Sequence, residues 1–163
     1  MNKRILVTYA TRAGSTVEVA SAIGETLRGR GFSVDVKPAK ENPSLDGYQV
    51  VVMGSAIRMG SWLPEAVDFI KNNHGALNNM PVALFTVHIL NLGEDEQSRA
   101  GRLAYLDNVR PLLKPVDEIF FAGEINPAKL SFVDRLMGKM VKSPVGDLRD
   151  WDKIRGWANA TLS

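Results

Sequence analysis

Five short apolar segments alternate with helical patterns along this sequence, and the alternation restricts the fold that the chain can adopt. Strands are predicted at 4–9, 32–37, 48–53, 81–86 and 116–122. Helices are predicted at 15–30, 63–73, 94–113, 130–142 and 150–162. Parallel strands joined by helices form a sheet that is covered on both faces. The sequence therefore predicts an α/β fold with a doubly wound, five-stranded parallel sheet, in a single domain over residues 1–163.

A turn rich in hydroxyl groups connects the first strand to the first helix. Its residues are Thr11, Arg12, Ala13, Gly14, Ser15 and Thr16. The first N–H groups of a helix have no partner within the helix, and the helix dipole favours an anion beside them. Hydroxyl groups add donors, and a glycine lets the backbone approach the anion closely. The turn predicts a site for a phosphate monoester, although a simple helix N-cap is an equally good interpretation.

Several other functions are excluded by what the chain lacks. The turn has no Gly-Lys-Ser/Thr ending and only one glycine, so it is neither a nucleoside-triphosphate loop nor a dinucleotide fingerprint. Receiver domains need acidic residues after strands one and three, where this chain has Thr11 and Gly54. The absence of cysteine excludes thiol catalysis, disulfides and clusters ligated by cysteine. Redox chemistry would therefore need a bound organic cofactor.

Two further loops are expected beside the turn, because ligands of such sheets bind beyond the carboxyl ends of the strands. The loop at 54–62 offers small residues and suits a planar ring such as flavin, with Met59 or Trp62 against its face; burial of Trp62 in the core is the alternative. The loop at 86–93 offers a second wall, in which His88 either faces the ring or is a solvated side chain. The candidates in these loops are Ser55, Ala56, Ile57, Arg58, Met59, Gly60, Thr86, Val87, His88, Ile89, Leu90 and Asn91.

The turn at 11–16 resembles the phosphate loop of flavodoxins, and the resemblance extends over nearly the whole chain. More specifically, the chain resembles the flavodoxin-fold protoporphyrinogen oxidases that pass electrons to a quinone. The matching segments are 11–14, 54–60, 122–125 and 132–137. The resemblance implies the strand order 2-1-3-4-5, FMN as the cofactor, and a cofactor site formed by the candidates in the turn and the two loops.

The resemblance also implies an FMN-dependent oxidoreductase whose electron acceptor is a quinone or another small molecule. A positive charge at Arg58 near the ring would favour the anionic reduced flavin and so make reduction easier. The alternative is a soluble electron-transfer flavodoxin that serves a redox partner protein and has no substrate of its own. Residues 143–151 depart from the Gly-Gly-x-Thr-Asp run of the oxidases, which leaves the substrate open and the role of 144–147 unassigned.

Charge and hydropathy indicate where such a protein acts. The net charge is +2, and the sequence contains no nucleic-acid motif and no segment long enough to span a membrane. We therefore expect a cytoplasmic protein. The predicted helix at 130–142 is amphipathic and basic. It is expected either to cover the sheet, as the fold requires, or to lie on the inner face of the cell membrane.

Overall fold

The computed structural model describes residues 3–11, 14–90, 93–125, 146–147 and 149–162, and the structural statements below concern those residues. The parallel strands are β1 (Arg4–Ala10), β2 (Ser33–Pro38), β3 (Val50–Arg58), β4 (Val82–His88) and β5 (Asp117–Ala122). The helices are α1 (Ser15–Gly29), α2 (Pro64–Asn72), α3 (His74–Leu77), α4 (Glu96–Ala104) and α5 (Trp151–Ala160). Shorter elements are a 3-10 turn at Ala39–Glu41 and two-residue strands at Ser61–Trp62, Glu124–Ile125 and Gly146–Asp147.

The five long strands form one parallel sheet in the order β2-β1-β3-β4-β5, which confirms the predicted fold and strand order. The inner strands β3 and β4 are buried along most or all of their length, as their continuous apolar sequences indicate. Ala10 pairs with Ser55, and Ser55 pairs with Thr86. The strand ends that precede the three candidate loops therefore lie side by side.

Two apolar clusters cover the two faces of the sheet. On one face, α1 and α5 pack against β1 and β4 through residues such as Ile23, Phe85 and Trp157. On the other face, α2 and the segment after α4 pack through residues such as Phe69 and Leu106. Because both faces are covered, the carboxyl edge is where polar groups of the inner strands can meet a ligand.

The loop predicted at 54–62 is largely regular structure. Strand β3 continues to Arg58, since its pairing with β4 extends as far as Ala56 and Val87. The chain then turns back, and Ile57 and Arg58 pair antiparallel with Trp62 and Ser61. The predicted loop is therefore a β-hairpin, which gives its tip a fixed direction.

The helix predicted at 94–113 is shorter than expected. Helix α4 ends at Ala104, and residues 105–112 form turns. The carbonyl of Tyr105 accepts a hydrogen bond from the backbone N–H of Trp62 (3.2 Å), a contact with another element at the point where the helix stops. The predicted helix at 130–142 lies outside the described residues, as do residues 143–145 and 148.

The last helix is anchored at one end of the sheet by a single carboxylate. Asp117 at the start of β5 accepts hydrogen bonds from Trp157 Nε1 (3.0 Å) and from the Thr161 hydroxyl (2.8 Å). Arg30, which follows α1, donates to the carbonyls of Ala158 (2.8 Å) and Thr161 (2.6 Å). These bonds fix α5 against the face that α1 also covers.

A glycine in β3 allows the core to close beneath the hairpin. A Cβ atom on Gly54 would lie 2.1–2.4 Å from ring atoms of Phe85, which is fully buried. We expect Gly54→Ala to lower the free energy of unfolding by about 1–3 kcal/mol, because the ring must move within a packed core.

The matched control is Gly156→Ala in α5, where the added methyl group would have no atom within 4 Å apart from those of its chain neighbours and its own helix backbone. That change should raise the free energy of unfolding by about 0.5–1 kcal/mol through helix propensity. Urea denaturation of both variants measures the difference, and equal effects would contradict the packing argument.

Candidate cofactor site

The turn after β1 is held in shape by its own residues. Thr11 follows β1, and its hydroxyl oxygen accepts a hydrogen bond from the backbone N–H of Gly14 (3.0 Å). Gly14 has a φ of +89° with open space around its Cα, so the requirement for glycine is conformational. Helix α1 begins at Ser15, and Val17 N–H already donates to Gly14 O (3.2 Å). Arg12 and Ala13 lie outside the described residues.

Thr16 in the first turn of α1 carries a buried hydroxyl without a partner. The residue is fully buried, and within the described part of the chain its Oγ1 makes no hydrogen bond. A buried hydroxyl left in this state costs about 1–3 kcal/mol. An anion bound at the N-terminus of α1 would supply the missing acceptor, so the residues of the turn fit a phosphate group.

The hairpin after β3 presents a methionine at its tip. Met59 and Gly60 have φ values of 56° and 78°, which is the pattern of a two-residue turn matched to the twist of a hairpin. A positive φ is unusual for a residue with a long side chain and stores local strain. Met59 is 77% exposed, and Arg58 beside it is also exposed. The hairpin therefore holds an apolar and a cationic side chain at the carboxyl edge.

The base of the hairpin is anchored in the core by Trp62. Its side chain is 2% exposed, so the interpretation of Trp62 as a core residue is confirmed. The indole Nε1 donates to the hydroxyl of Thr86 (2.9 Å), which is itself buried. The hydroxyl of Ser55 accepts from Leu63 N–H (3.0 Å) and donates to Ala56 O (2.7 Å). The side chains of Ser55 and Thr86 thus support the hairpin.

His88 is the last residue of β4 and is buried, so its interpretation as a solvated side chain is wrong. It is 4% exposed, with Nδ1 located 2.7 Å from the carbonyl oxygen of Leu90. Its ring lies 5.5 Å from that of Tyr105 and 5.9 Å, edge-on, from that of Phe120. Burial lowers the pKa of His88, and the bond to Leu90 only partly offsets this effect. The imidazole is therefore neutral at pH 7 and donates through Nδ1–H to the carbonyl.

The remaining candidates lie along the same edge. Ala56, Ile57 and Ile89 are half-buried, Val87 is buried, Gly60 is exposed and Leu90 is 38% exposed. Asn91 lies outside the described residues. The strand register brings the turn after β1, the hairpin and the end of β4 next to one another. Among the described candidates of this edge, the most exposed side chains are those of Arg58, Met59 and Leu90.

Two features of this edge escaped the sequence interpretation. The first is Tyr105, which stood inside a predicted helix and whose contacts come from residues distant in sequence. The second is a groove of about 260 Å³ that passes beside the turn, lined by Tyr9, Ala10, Thr11, Val17, Pro38, Lys40, Glu41 and Glu65. Burial and the charge of Glu41 raise the pKa of Tyr9 there. Among the described residues, no cluster of acidic or histidine side chains could hold a metal ion.

The sequence of this chain matches a protein-family model and proteins of known name. A family model described as "Flavodoxin domain" matches residues 6–152. Protoporphyrinogen IX dehydrogenase (quinone) from Escherichia coli (strain K12) is 27% identical, and the match covers 95% of this chain and 92% of that protein. A protein of the same name from Leishmania major is 24% identical over 96% of this chain and 73% of its own length.

A solved structure shows the same fold. The structure of a flavodoxin from the domain Archaea superposes with a TM-score of 0.52 at 19% identity, and the match covers 95% of this chain and 98% of that one. At this level of identity the likeness concerns the arrangement of strands and helices alone.

The lowered pKa of His88 predicts how stability depends on pH. As the pH falls below about 6.5, the unfolded chain takes up a proton at this residue before the folded protein does, because the folded pKa is lower. The free energy of unfolding should therefore fall as the pH drops below 6.5, by at most about 1.4 kcal/mol per pH unit, and should not depend on His88 above that value.

Chemical denaturation between pH 7.5 and 5.5 measures this slope. His88→Phe should flatten it, whereas the same exchange at His74, an exposed residue in α3, should leave it unchanged. A slope that survives in His88→Phe, or that disappears in His74→Phe, would contradict the assignment.

Proposed function

This chain belongs to the flavodoxin domain family, and we propose that it is an FMN-dependent oxidoreductase that passes electrons from a small-molecule substrate to a quinone. Membership in the family implies a flavin cofactor. The observation that favours FMN over a flavin without phosphate is the hydroxyl of Thr16, which is buried at the N-terminus of α1 and has no partner in the described part of the chain. A phosphate group would supply the missing acceptor. The quinone and a porphyrinogen substrate are supported by the names of the relatives from Escherichia coli and Leishmania major.

The turn after β1 would hold the phosphate of FMN. Backbone N–H groups at the start of α1 and the hydroxyl of Thr16 would donate to it, and the helix dipole would stabilise its negative charge. The flavin ring would extend along the carboxyl edge toward the hairpin tip and Leu90. Bound FMN supplies the capacity to accept and release electrons, and the protein adjusts that capacity through nearby charge.

Arg58 is the residue that would adjust the flavin most directly. Its exposed guanidinium group at the hairpin tip adds positive charge where the reduced ring would carry negative charge. A higher reduction potential suits a flavin that takes electrons from a substrate and delivers them to a quinone. Proton transfer is not assigned to a side chain, since His88 is buried and its Nδ1–H is committed to Leu90.

A quinone dissolved in a lipid bilayer would require this protein to approach the membrane surface. No helix in the described ranges is both long enough and apolar enough to cross a membrane. The basic helix predicted at 130–142 falls outside those ranges, so contact with a membrane surface stays a prediction from the sequence. Binding to vesicles with and without anionic lipid measures it directly.

The proposed activity is tested by stopped-flow mixing of the reduced flavoprotein with a water-soluble quinone under anaerobic conditions. We expect reoxidation at a rate that rises with the quinone concentration and then saturates, as binding before electron transfer requires. A porphyrinogen mixed with the oxidised protein should reduce it. The proposal would be contradicted if the quinone did not reoxidise the reduced protein and the porphyrinogen did not reduce the oxidised protein. Reduction of a redox protein would then favour an electron carrier.

Thr16 gives a test of phosphate binding that uses affinity and stability together. Thr16→Val removes the unpartnered hydroxyl, so it should raise the stability of the cofactor-free protein by about 1–2 kcal/mol. The same change should weaken FMN binding about tenfold, because a hydrogen bond to a charged group is lost. The affinity for riboflavin, which lacks the phosphate, should not change.

Thr8→Val is the matched control for this test. Thr8 lies within β1 and carries the other buried hydroxyl without a partner in the described part of the chain. Its removal should raise stability in the same way and leave FMN affinity unchanged. Equal losses of FMN affinity in both variants, or none in Thr16→Val, would contradict the proposed phosphate site.

Arg58→Ala tests the proposed electrostatic role. The two-electron reduction potential of bound FMN should fall by about 20 mV for each 1 kcal/mol of lost charge stabilisation. Arg58→Lys should retain most of the potential. Lys71→Ala removes an exposed charge near the C-terminal end of α2 and should leave the potential unchanged. Equal potentials in Arg58→Ala and the unmodified protein would exclude this role.

A further inference from the structure

Tyr105 connects the two segments that are predicted to flank the flavin ring. It follows α4 directly and is 5% exposed. Its carbonyl oxygen accepts a hydrogen bond from Trp62 N–H (3.2 Å), and its hydroxyl donates to the carbonyl of Leu90 (3.2 Å). One residue thus bonds to the hairpin through its backbone and, through its side chain, to residues 89–90, which form the described part of the turn after β4.

On the hairpin side, the contact from Tyr105 reaches the residue that fixes the hairpin base. Trp62 pairs with Ile57 across the hairpin and donates through its indole to Thr86 (2.9 Å). Its carbonyl accepts from Asn108 Nδ2 (3.4 Å). With its base fixed at several points, the hairpin can hold its backbone at Met59 in a constant position.

On the other side, the carbonyl of Leu90 receives two donors. His88 Nδ1 lies 2.7 Å from it and the Tyr105 hydroxyl 3.2 Å from it. The rings of His88 and Tyr105 also contact each other, with centroids 5.5 Å apart. Two donors on one carbonyl, joined by a ring contact, fix the direction of the Leu90 carbonyl group.

We propose that Tyr105 is a positioning residue that sets the separation of the hairpin and the turn after β4 before the flavin ring enters between them. The proposal rests on the function proposed above. A site whose walls are already ordered loses less conformational entropy on binding, so the effect of Tyr105 appears in affinity for the ring. The phosphate turn is formed by Thr11, Gly14 and Thr16, none of which Tyr105 contacts through its hydrogen bonds to Trp62 and Leu90.

Tyr105→Phe isolates the side-chain bond. The variant keeps the ring contact with His88 and the backbone bond to Trp62, and it removes the donor to Leu90. Fluorescence titration of the cofactor-free protein should show that FMN and riboflavin are both bound about three- to tenfold more weakly, and by the same factor. Equal losses of affinity for FMN and riboflavin would show that the variant affects binding of the ring, since riboflavin has no phosphate.

Tyr48→Phe is the matched control, because it deletes the same atom from a tyrosine that bonds to the edge strand β2, away from the hairpin and the end of β4. The hydroxyl of Tyr48 donates to Asp35 in β2 (2.6 Å). This variant should lose stability and keep both flavin affinities. If destabilisation of the fold alone lowered the affinity for flavin, Tyr48→Phe would show the same loss. That result would overturn the positioning role.

The remaining outcomes are also decisive. Unchanged affinities in Tyr105→Phe, or a loss confined to FMN, would overturn this inference while leaving the proposed function in place. Failure of the unmodified protein to bind either flavin would overturn both. His88→Phe removes the second donor to Leu90 and provides an independent variant, for which the same equal loss of FMN and riboflavin affinity is expected.

Discussion

Burial of the inner strands on both faces is the constraint on which the rest of this structure depends. Helices α1 and α5 cover one face of the sheet and α2 covers the other, so β3 and β4 are apolar along nearly all of their length. Polar groups of these strands can then contact a ligand only at the edge where the strands end. The packing of Phe85 against Gly54 closes the core just below that edge and gives the hairpin a firm base.

Hydroxyl groups near this edge fall into two classes. Those of Ser55 and Thr86 bond to Leu63 and to the indole of Trp62, and so they organise the hairpin. That of Thr16 has no partner in the described part of the chain, although it lies in the first turn of α1, where an anion is favoured. Thr8 within β1 also carries a buried hydroxyl without a partner in the described part of the chain, so the position of Thr16 at the N-terminus of α1 is what supports the proposed phosphate site.

The sequence was sufficient for the features that depend on local pattern. Apolar periodicity predicted the five strands, and the resemblance to flavodoxins implied their order in the sheet. Gly14 marked the turn before α1, where the backbone adopts a positive φ. Features set by distant contacts were not predicted. The hairpin at 57–62 depends on pairing within the sheet, α4 ends where Tyr105 meets Trp62, and His88 is buried by Tyr105 and Phe120. None of these partners is visible from sequence spacing.

In the proposed function, the carboxyl edge of the sheet binds a flavin through its phosphate. Isothermal titration of the cofactor-free protein with FMN and then with riboflavin tests it most directly. We expect one-to-one binding of FMN, about tenfold or more tighter than that of riboflavin, since donors to a charged phosphate contribute only to FMN. Equal affinities for the two flavins, or no binding of FMN, would contradict it.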